Sequence, residues 1–354
     1  MQEYIVIGLM SGTSLDGLDV VACQFVSEEE QIVLQNVLAA ETFVYESSVV
    51  QLLAQAKTLS AEEYVRLHVF LGHYMGKKVA QFIKKYNISA NFVASHGQTV
   101  FHQPHIGLTS QIGDGASIAA ECGLPVVCDF RSSDLAFGGQ GAPLVPIGDA
   151  MLYADYDYCL NIGGICNISY QIDNYRIAFD ISPANMALNY FAQKLGHTYD
   201  RDGILAKAGV LNISLFENLN QLDYYSQSYP KSLGAEWVEN VFYPVIHSFD
   251  IDNKDILNTL NHHIAYQISQ IVDKNSPKRM LITGGGAKNI YLCQLIKDYC
   301  KNISIVIPDE KQIDYKEAII FALLGLLRWQ NRPNCLASVT GAKKDVVGGA
   351  IYYC

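Results

Sequence analysis

Two stretches of this chain are written to one plan. Tyr4 to Gly8 and Leu18 to Phe25 are apolar runs joined by the polar turn within Gly8-Leu-Met-Ser-Gly-Thr-Ser-Leu-Asp-Gly-Leu-Asp19. Such a pair predicts a β-hairpin with an exposed tip. Asp157-Tyr-Cys-Leu-Asn-Ile-Gly-Gly-Ile-Cys-Asn-Ile-Ser-Tyr170 has the same strand, glycine-bearing turn and strand. A third apolar stretch follows each hairpin, Gln31 to Tyr45 in the first case and Tyr175 to Phe179 in the second. Gly12 and Gly163 lie 151 residues apart, a separation suited to duplicated domains and far too long for a solenoid repeat. A chain of 354 residues, half of them hydrophobic, has the length and the core for two domains. The expected class is α/β, with residues 1–135 and about 338–354 forming one domain and residues 136–337 the other.

Gly12 and Gly17 permit backbone conformations and close approaches that a Cβ would block. Thr13 and Ser14 add hydroxyl donors beside free backbone N–H groups, so the first tip suits a phosphate. It is not a P-loop: the GxxxxGK[ST] spacing and its lysine are absent, and the turn enters a second strand where a P-loop enters a helix. Two such tips facing each other would clamp a polyphosphate from both sides.

Between the hairpins, Ser47 to Tyr86 predicts helix, because apolar residues recur at three and four. Phe92-Val-Ala-Ser-His-Gly-Gln-Thr-Val-Phe101 predicts a strand whose polar end presents His96 and Gln98, as in open α/β sheets. Asp114 or Gly115 is placed to cap a helix over Ala116 to Cys122. Pro125-Val-Val-Cys-Asp-Phe-Arg131 predicts a strand with Asp129 and Arg131 on one face, where they could bind hydroxyl or carboxylate groups or pair with each other. Phe137-Gly-Gly-Gln-Gly-Ala-Pro143 is the expected interdomain or cleft segment. In the second half Asp180 closes a strand ahead of a proline-bearing loop, which should project its carboxylate into a cleft, and Asn185 is placed to cap the following helix. Lys231 to Glu236 reads as a loop entering a helix that runs to Ile246, and Asp255 to Val272 as a long amphipathic helix. Arg279-Met-Leu-Ile-Thr-Gly-Gly-Gly286 is a strand ending in bare backbone on which adenine and ribose could lie. Tyr315 to Trp329 is an apolar helix with Glu317 near its start, and Thr340 to Ile351 suggests a return to the first domain.

Formal charge −10 argues against a nucleic-acid or anionic-membrane surface and leaves a small molecule as the expected partner. The N-terminus runs straight into the first strand and no apolar run reaches 18 residues, so a cytoplasmic protein is expected. Nine scattered cysteines without a C-x-x-C pair read as free buried thiols.

Together the motifs resemble those of the anhydro-N-acetylmuramic acid kinases. Gly8 to Asp19 is similar to that family's signature, and Ser95-His-Gly-Gln-Thr99, Gln111-Ile-Gly-Asp114, Asp129-Phe-Arg131, Asn161-Ile-Gly-Gly164 and Thr283-Gly-Gly-Gly286 follow in the family's order across essentially the whole chain. The resemblance implies the actin-like ATPase fold, two duplicated ribonuclease-H-like domains around a nucleotide cleft. It implies ATP held at Gly12, Thr13, Ser14, Leu15, Asp16, Gly17, Leu18 and Asp19 and at Gly163 and Gly164, with Gly284, Gly285 and Gly286 at the adenosine. It implies Mg²⁺, its ligands unassigned, and Asp180 as catalytic base, with His96, Gln98, Asp129, Arg131 and Glu317 lining the sugar site. The implied reaction opens 1,6-anhydro-N-acetylmuramic acid with water and phosphorylates O6 from ATP, giving N-acetylmuramic acid 6-phosphate in murein recycling. A homodimer is a further implication.

The chain departs from the family where Phe-Asp-Thr-Gly-Pro-Gly-Asn and an Asp four residues on are usual, having Ile181, Ser182, Ala184 and Asn189. A Gly to Ser or Ala exchange removes backbone freedom if φ is positive there. Ala235 stands where the family tends to carry a basic residue. The competing readings are an actin-like kinase for another sugar or a carboxylate, and a nucleotide-binding paralogue of weakened chemistry.

Overall fold

The structure, a computed structural model, describes all residues of the chain except Glu30, Asn174 and Lys274. Its contacts divide it into two compact units, Met1–Leu152 with Tyr315–Cys354, and Tyr153–Asp314. The division therefore falls at 152 and 315, where the sequence suggested 135 and 338. The strands are β1 (Gln2–Ser11), β2 (Gly17–Glu28), β3 (Gln31–Val44), β4 (Phe92–Gln103), β5 (Leu108–Ile112), β6 (Val126–Cys128), β7 (Tyr158–Ile162), β8 (Ile165–Ile172), β9 (Tyr175–Pro183), β10 (Lys278–Thr283), β11 (Ile303–Val306) and β12 (Ala350–Tyr352).

In the first unit the sheet runs β12-β6-β4-β1-β2-β3, with β5 paired to β4. β1, β2 and β3 form an antiparallel meander, and β4 and then β6 add in parallel on the other side of β1. The second unit repeats this: β11-β10-β7-β8-β9, with an antiparallel β7-β8-β9 meander and β10 and β11 added in parallel beside β7. Order and directions of the five strands β3-β2-β1-β4-β6 and β9-β8-β7-β10-β11 agree, with β5 and β12 added in the first unit alone, and each unit has the ribonuclease-H-like sheet of an actin-like ATPase fold.

The period-two alternation of β1 explains why helices cover both faces of the first sheet. Tyr4 and Val6 enter one core with Val21, Cys23, Phe25, Phe92 and Ala94, against Ala318 to Leu327 of the helix Glu310–Trp329. Ile7 and Leu9 enter the opposite core with Leu18, Val20, Ala22 and Val93, against Leu71, Met75, Val79 and Phe82 of the helix Ala61–Tyr86. Each large apolar side chain so buried is worth about 1.5–3 kcal/mol. The helix predicted over 47–86 is interrupted: Ser47–Gln55 passes through a tight turn at Ala56–Thr58, and a new helix starts at Ala61. Ser60 and Glu63 close a capping box there, which gives the orphan N–H groups of the second helix their acceptors. The helix Glu310–Trp329 packs close to the sheet. A Cβ on Gly8 would collide with the main-chain carbonyl of Ala318 and lie 3.1 Å from the Ala322 side chain.

The core of the second unit gathers β7 to β10 around the helix Asn253–Ile271. That helix is buried beyond the amphipathic stripe expected of it. Asn258, Asn261, His263 and Gln267 are buried as well, and His263 is satisfied by the Asn220 carboxamide and the Tyr225 hydroxyl, at 2.7 and 2.8 Å.

Gly8→Ala is expected to lower stability by about 1–3 kcal/mol, because the helix or the strand must move. Gly107→Asn places its atoms in open space at φ 68°, a conformation Asn tolerates, and should stay within about 0.5 kcal/mol of the parent. Urea midpoints at matched slope measure both, and equal effects would show that the close helix–strand approach is not a constraint.

Candidate active site

The first tip joins Ser11 to Gly17 over five residues, and Thr13, Ser14 and Asp16 are exposed on it. Its geometry corrects the reading of its glycines. Neither Gly12 nor Gly17 takes a positive φ; the left-handed residue is Leu15, at φ 58°. Gly17 is required by space, since a Cβ would lie 2.7 Å from the Phe43 carbonyl oxygen and 2.8 Å from Thr42, whereas at Gly12 it would meet only the Ser14 hydroxyl, at 3.4 Å. The tip is pinned by Leu15 N–H donating to the Gly12 carbonyl, Ser14 Oγ donating to the Asp16 carboxylate and Thr42 Oγ1 donating to the Asp19 carboxylate.

Below the tip Ser11 is buried, and its hydroxyl donates to Oε1 of Gln98 at 2.5 Å. That oxygen can only accept, so the Tyr45 hydroxyl, 2.6 Å from Ser11 Oγ, must be the donor of the second bond. Gln98 is thereby occupied in tying β4 to the foot of the hairpin, and it is buried.

β6 ends at Cys128, earlier than the strand predicted to Arg131. Asp129 is left-handed at φ 58° and accepts from Ser132 Oγ at 2.5 Å; Arg131 opens the short helix Ser132–Ala136 with φ −99° and ψ −31°. The two side chains do not share an extended face, and each has a different partner. Arg131 donates from Nε and Nη2 to Nε2 of His96, at 3.2 and 2.9 Å, and from Nη1 to the Gly141 carbonyl at 2.6 Å. His96 is buried, tilted over Phe321 at 4.5 Å between ring centroids, with Nδ1 2.9 Å from the Gly97 carbonyl. A carbonyl cannot donate, so Nδ1 carries the proton and Nε2 is a bare acceptor. Burial, and then the Arg131 charge, push the His96 pKa down to about 3, which keeps the ring neutral. The glycine-rich loop after Phe137 is held by fully buried Asp134, whose carboxylate accepts from Gly141 N–H and from Thr340 Oγ1 at 2.7 and 2.8 Å.

Glu317 keeps accessible surface, yet enough protein surrounds its carboxyl that desolvation raises its pKa, with Arg131 and Lys316 pulling the other way. Neighbouring Lys316 is buried and ion-paired with Asp149 at 2.7 Å. A polar cavity of about 260 Å³ in this unit is lined in part by His96, Asp129, Gln111 and Asp114, and so unites two of the five residues expected to line a sugar site.

In the second unit the turn Gly163–Gly164 is stapled to the start of the helix Asn185–Lys194, because its carbonyls accept the N–H groups of Ala184, Asn185 and Met186. Asn185 does not cap that helix; it is the first helical residue, and its side chain donates to the Ile162 carbonyl at 3.1 Å. Gly284 has φ 80°, and a Cβ there would lie 2.6 Å from the Asn161 side chain, so the three-glycine turn presses against the end of β7. The structure thus brings Gly163, Gly164 and Gly284 to Gly286 together.

Asp180 lies inside β9, not at its end, opposite Asn167 and beside a bulge in which Ile181 is the extra residue. Three hydrogen bonds from a later segment hold it. Its Oδ2 accepts from Leu233 N–H at 2.8 Å, its carbonyl accepts from the Tyr224 hydroxyl at 2.6 Å, and its N–H donates to the Lys231 carbonyl at 3.4 Å. Burial raises its pKa above the ordinary aspartate range, and the Leu233 N–H opposes that shift. Tyr224 and Leu233 carry no sequence signal for this role; only the Lys231 loop had one.

The family model for anhydro-N-acetylmuramic acid kinase matches residues 4–354. The chain belongs to that family. A Shewanella denitrificans protein named anhydro-N-acetylmuramic acid kinase is 35% identical, over 99% of this chain and 98% of its own, and one so named from Francisella tularensis subsp. novicida is 35% identical over the full length of both. Component A of the Acidaminococcus fermentans (R)-2-hydroxyglutaryl-CoA dehydratase superposes at TM-score 0.45 with 11% identity, over 90% of this chain and 96% of that one. At Ala184, where the family commonly has glycine, φ is −130°, and Ser182 is likewise outside the left-handed region. These two exchanges therefore bring no left-handed strain.

A raised folded-state pKa means that the native state binds more protons than the unfolded chain between pH 3.8 and that pKa, so stability falls as pH rises through this window. Asp180→Asn keeps an acceptor for Leu233 N–H and removes the buried charge. Its urea midpoint should exceed the parent's at pH 7, and the advantage should vanish towards pH 3.8. A gap that does not vary with pH would mean that the carboxyl is not perturbed.

Proposed function

We infer that this chain is a kinase that opens 1,6-anhydro-N-acetylmuramic acid with water and transfers the γ-phosphoryl group of ATP to O6. The observation that carries the reading is Asp180: a buried carboxylate held by the Leu233 N–H, on a residue whose main chain is fixed by Tyr224 and Lys231, in a chain of this family. A carboxyl whose pKa is raised by burial takes a proton more readily than an ordinary aspartate. Asp180 takes the proton from water attacking the anomeric carbon, while O6 departs towards phosphorus. Because no side chain need then act as the acid, one ionised carboxylate suffices, in an inverting geometry.

The first tip, Gly12 to Asp19, and the turn Gly163–Gly164 are the phosphate-binding elements of this reading, with Gly284 to Gly286 at the adenosine. His96, Gln98, Asp129, Arg131 and Glu317 belong to its sugar-binding side, directly or through their neighbours. The exposed Asp16 carboxylate and Asp19 are hard oxygen donors that would hold Mg²⁺, which would supply neutralisation of phosphate charge. Among the described residues no group of three or more potential ligands gathers, which fits an ion carried mainly by nucleotide and water. No helix among the described residues is long and apolar enough to cross a membrane, and no cysteine is joined in a disulfide. Both fit a cytoplasmic enzyme.

ADP release should require the anhydro sugar, and Asp180→Asn should lower turnover by about 10²–10⁴-fold with ATP affinity retained. In ¹⁸O-water the label should enter the anomeric hydroxyl, not the phosphate ester, with the inverted anomer formed first. A retained anomer, or a sugar trapped covalently on Asp180, would replace this mechanism with nucleophilic attack by the carboxylate. ADP release with a different sugar alone would move the protein to another substrate.

A further inference from the structure

Arg131 is a cation mounted on neutral partners. Of its five N–H groups, three are engaged, two by Nε2 of His96 and one by the Gly141 carbonyl. One N–H remains on each Nη. Among the described residues Arg131 forms no salt bridge, and Glu317 acts on it only at longer range. The nearest lysine in sequence with a buried ammonium, Lys316, already has Asp149. The mount itself is rigid. His96 cannot release its acceptor, because its proton is committed to Gly97, and the Gly141 carbonyl is fixed by the buried Asp134 carboxylate on its own N–H. A guanidinium with no ion-pair partner among the described residues favours binding an anion, and the remaining N–H groups on its two Nη atoms match a carboxylate.

We propose that Arg131 reads the carboxylate of the lactyl ether of the muramic sugar, and that His96 is a positioning residue that aims the guanidinium without hydrogen-bonding the sugar. This rests on the substrate reading above. It makes Arg131 the residue that separates an anhydromuramic acid from the otherwise similar anhydro-N-acetylglucosamine, which lacks the lactyl group. Sequence alone allowed His96 to be a ligand for the sugar; its burial and its two engaged nitrogens favour the indirect role. A rival cation exists in the other unit. Lys231 is half-buried over the Phe179 and Tyr224 rings and donates to the Tyr224 carbonyl, again without a carboxylate partner.

The test is calorimetric titration of the full-length protein with 1,6-anhydro-N-acetylmuramic acid and with 1,6-anhydro-N-acetylglucosamine, in the absence of ATP, so that binding is read even where turnover is not seen. The parent should prefer the acid by about 10- to 100-fold, the weight of a charge-assisted hydrogen-bonded pair. Arg131→Gln should bring the ratio to within about threefold of unity, and Arg131→Lys should leave it in between. His96→Phe, which keeps the ring contact with Phe321 and deletes the acceptor, should lower the ratio, and His96→Gln should restore part of it. Lys231→Met should leave the ratio unchanged. A parent without preference, an unaltered ratio in Arg131→Gln, equal loss of both sugars, or collapse of the ratio in Lys231→Met would each overturn the assignment. Should Arg131→Gln fail to fold, by its urea midpoint, the Arg131→Lys and His96→Phe ratios decide. Failure of the kinase reading has a separate signature, no sugar-dependent ADP release by a parent that still discriminates the two sugars.

Discussion

A strand covered on both faces has no room for a polar side chain except at its ends, and this constraint arranges the first unit. From Tyr4 in β1 and from Phe92 in β4 most residues are buried and apolar until Ser11 and the Ser95 to Gln98 stretch, where polar atoms appear together and at once must find partners. Ser11 takes Gln98 and Tyr45; His96 takes Gly97 and Arg131. The same happens in the second unit, where Asn161 and Thr283 close β7 and β10 beside the two glycine turns. The candidate site residues therefore sit where the apolar runs of the strands end.

Much of this could be read from residue order. The two meanders, the helix after Ser60 and the strand end at Thr283 are carried by local patterning, which is what periodicity and turn chemistry report; His96, expected at a strand end, lies inside β4, because pairing with β5 carries that strand on to Gln103. The break at Ala56 to Thr58 is legible only through Ser60 and Glu63, because apolar spacing continues across it. The left-handed residue of the first tip is Leu15, although two glycines stand nearby, so tertiary demand overrode the local preference. Asp129 and Arg131 look like one face of a strand only while the strand is assumed to continue. A left-handed turn at Asp129 sends them to different partners.

The hold on Asp180 lay beyond sequence reasoning for a different reason. Its three partners come from Tyr224, Lys231 and Leu233, more than forty residues later, and two of the three contacts use main-chain atoms of the later segment. Main-chain groups have no residue identity, so no pattern in the chain announces them. Electrostatics follows the same division. Burial lifts Asp180 and depresses His96, and which groups are buried is a property of packing, not of composition.

The Leu233 N–H also has an evolutionary meaning. A hydrogen bond donated by the main chain survives every substitution at its own position except proline, so the orientation of the Asp180 carboxylate is insulated from drift in the segment that provides it. Side chains around Leu233 can change, as at Ala235, while the donor stays. The Asp180 carboxylate can thus keep its aim while the side chains of that loop change, and a substitution there alters what lies beside the carboxylate before it alters where the carboxylate points.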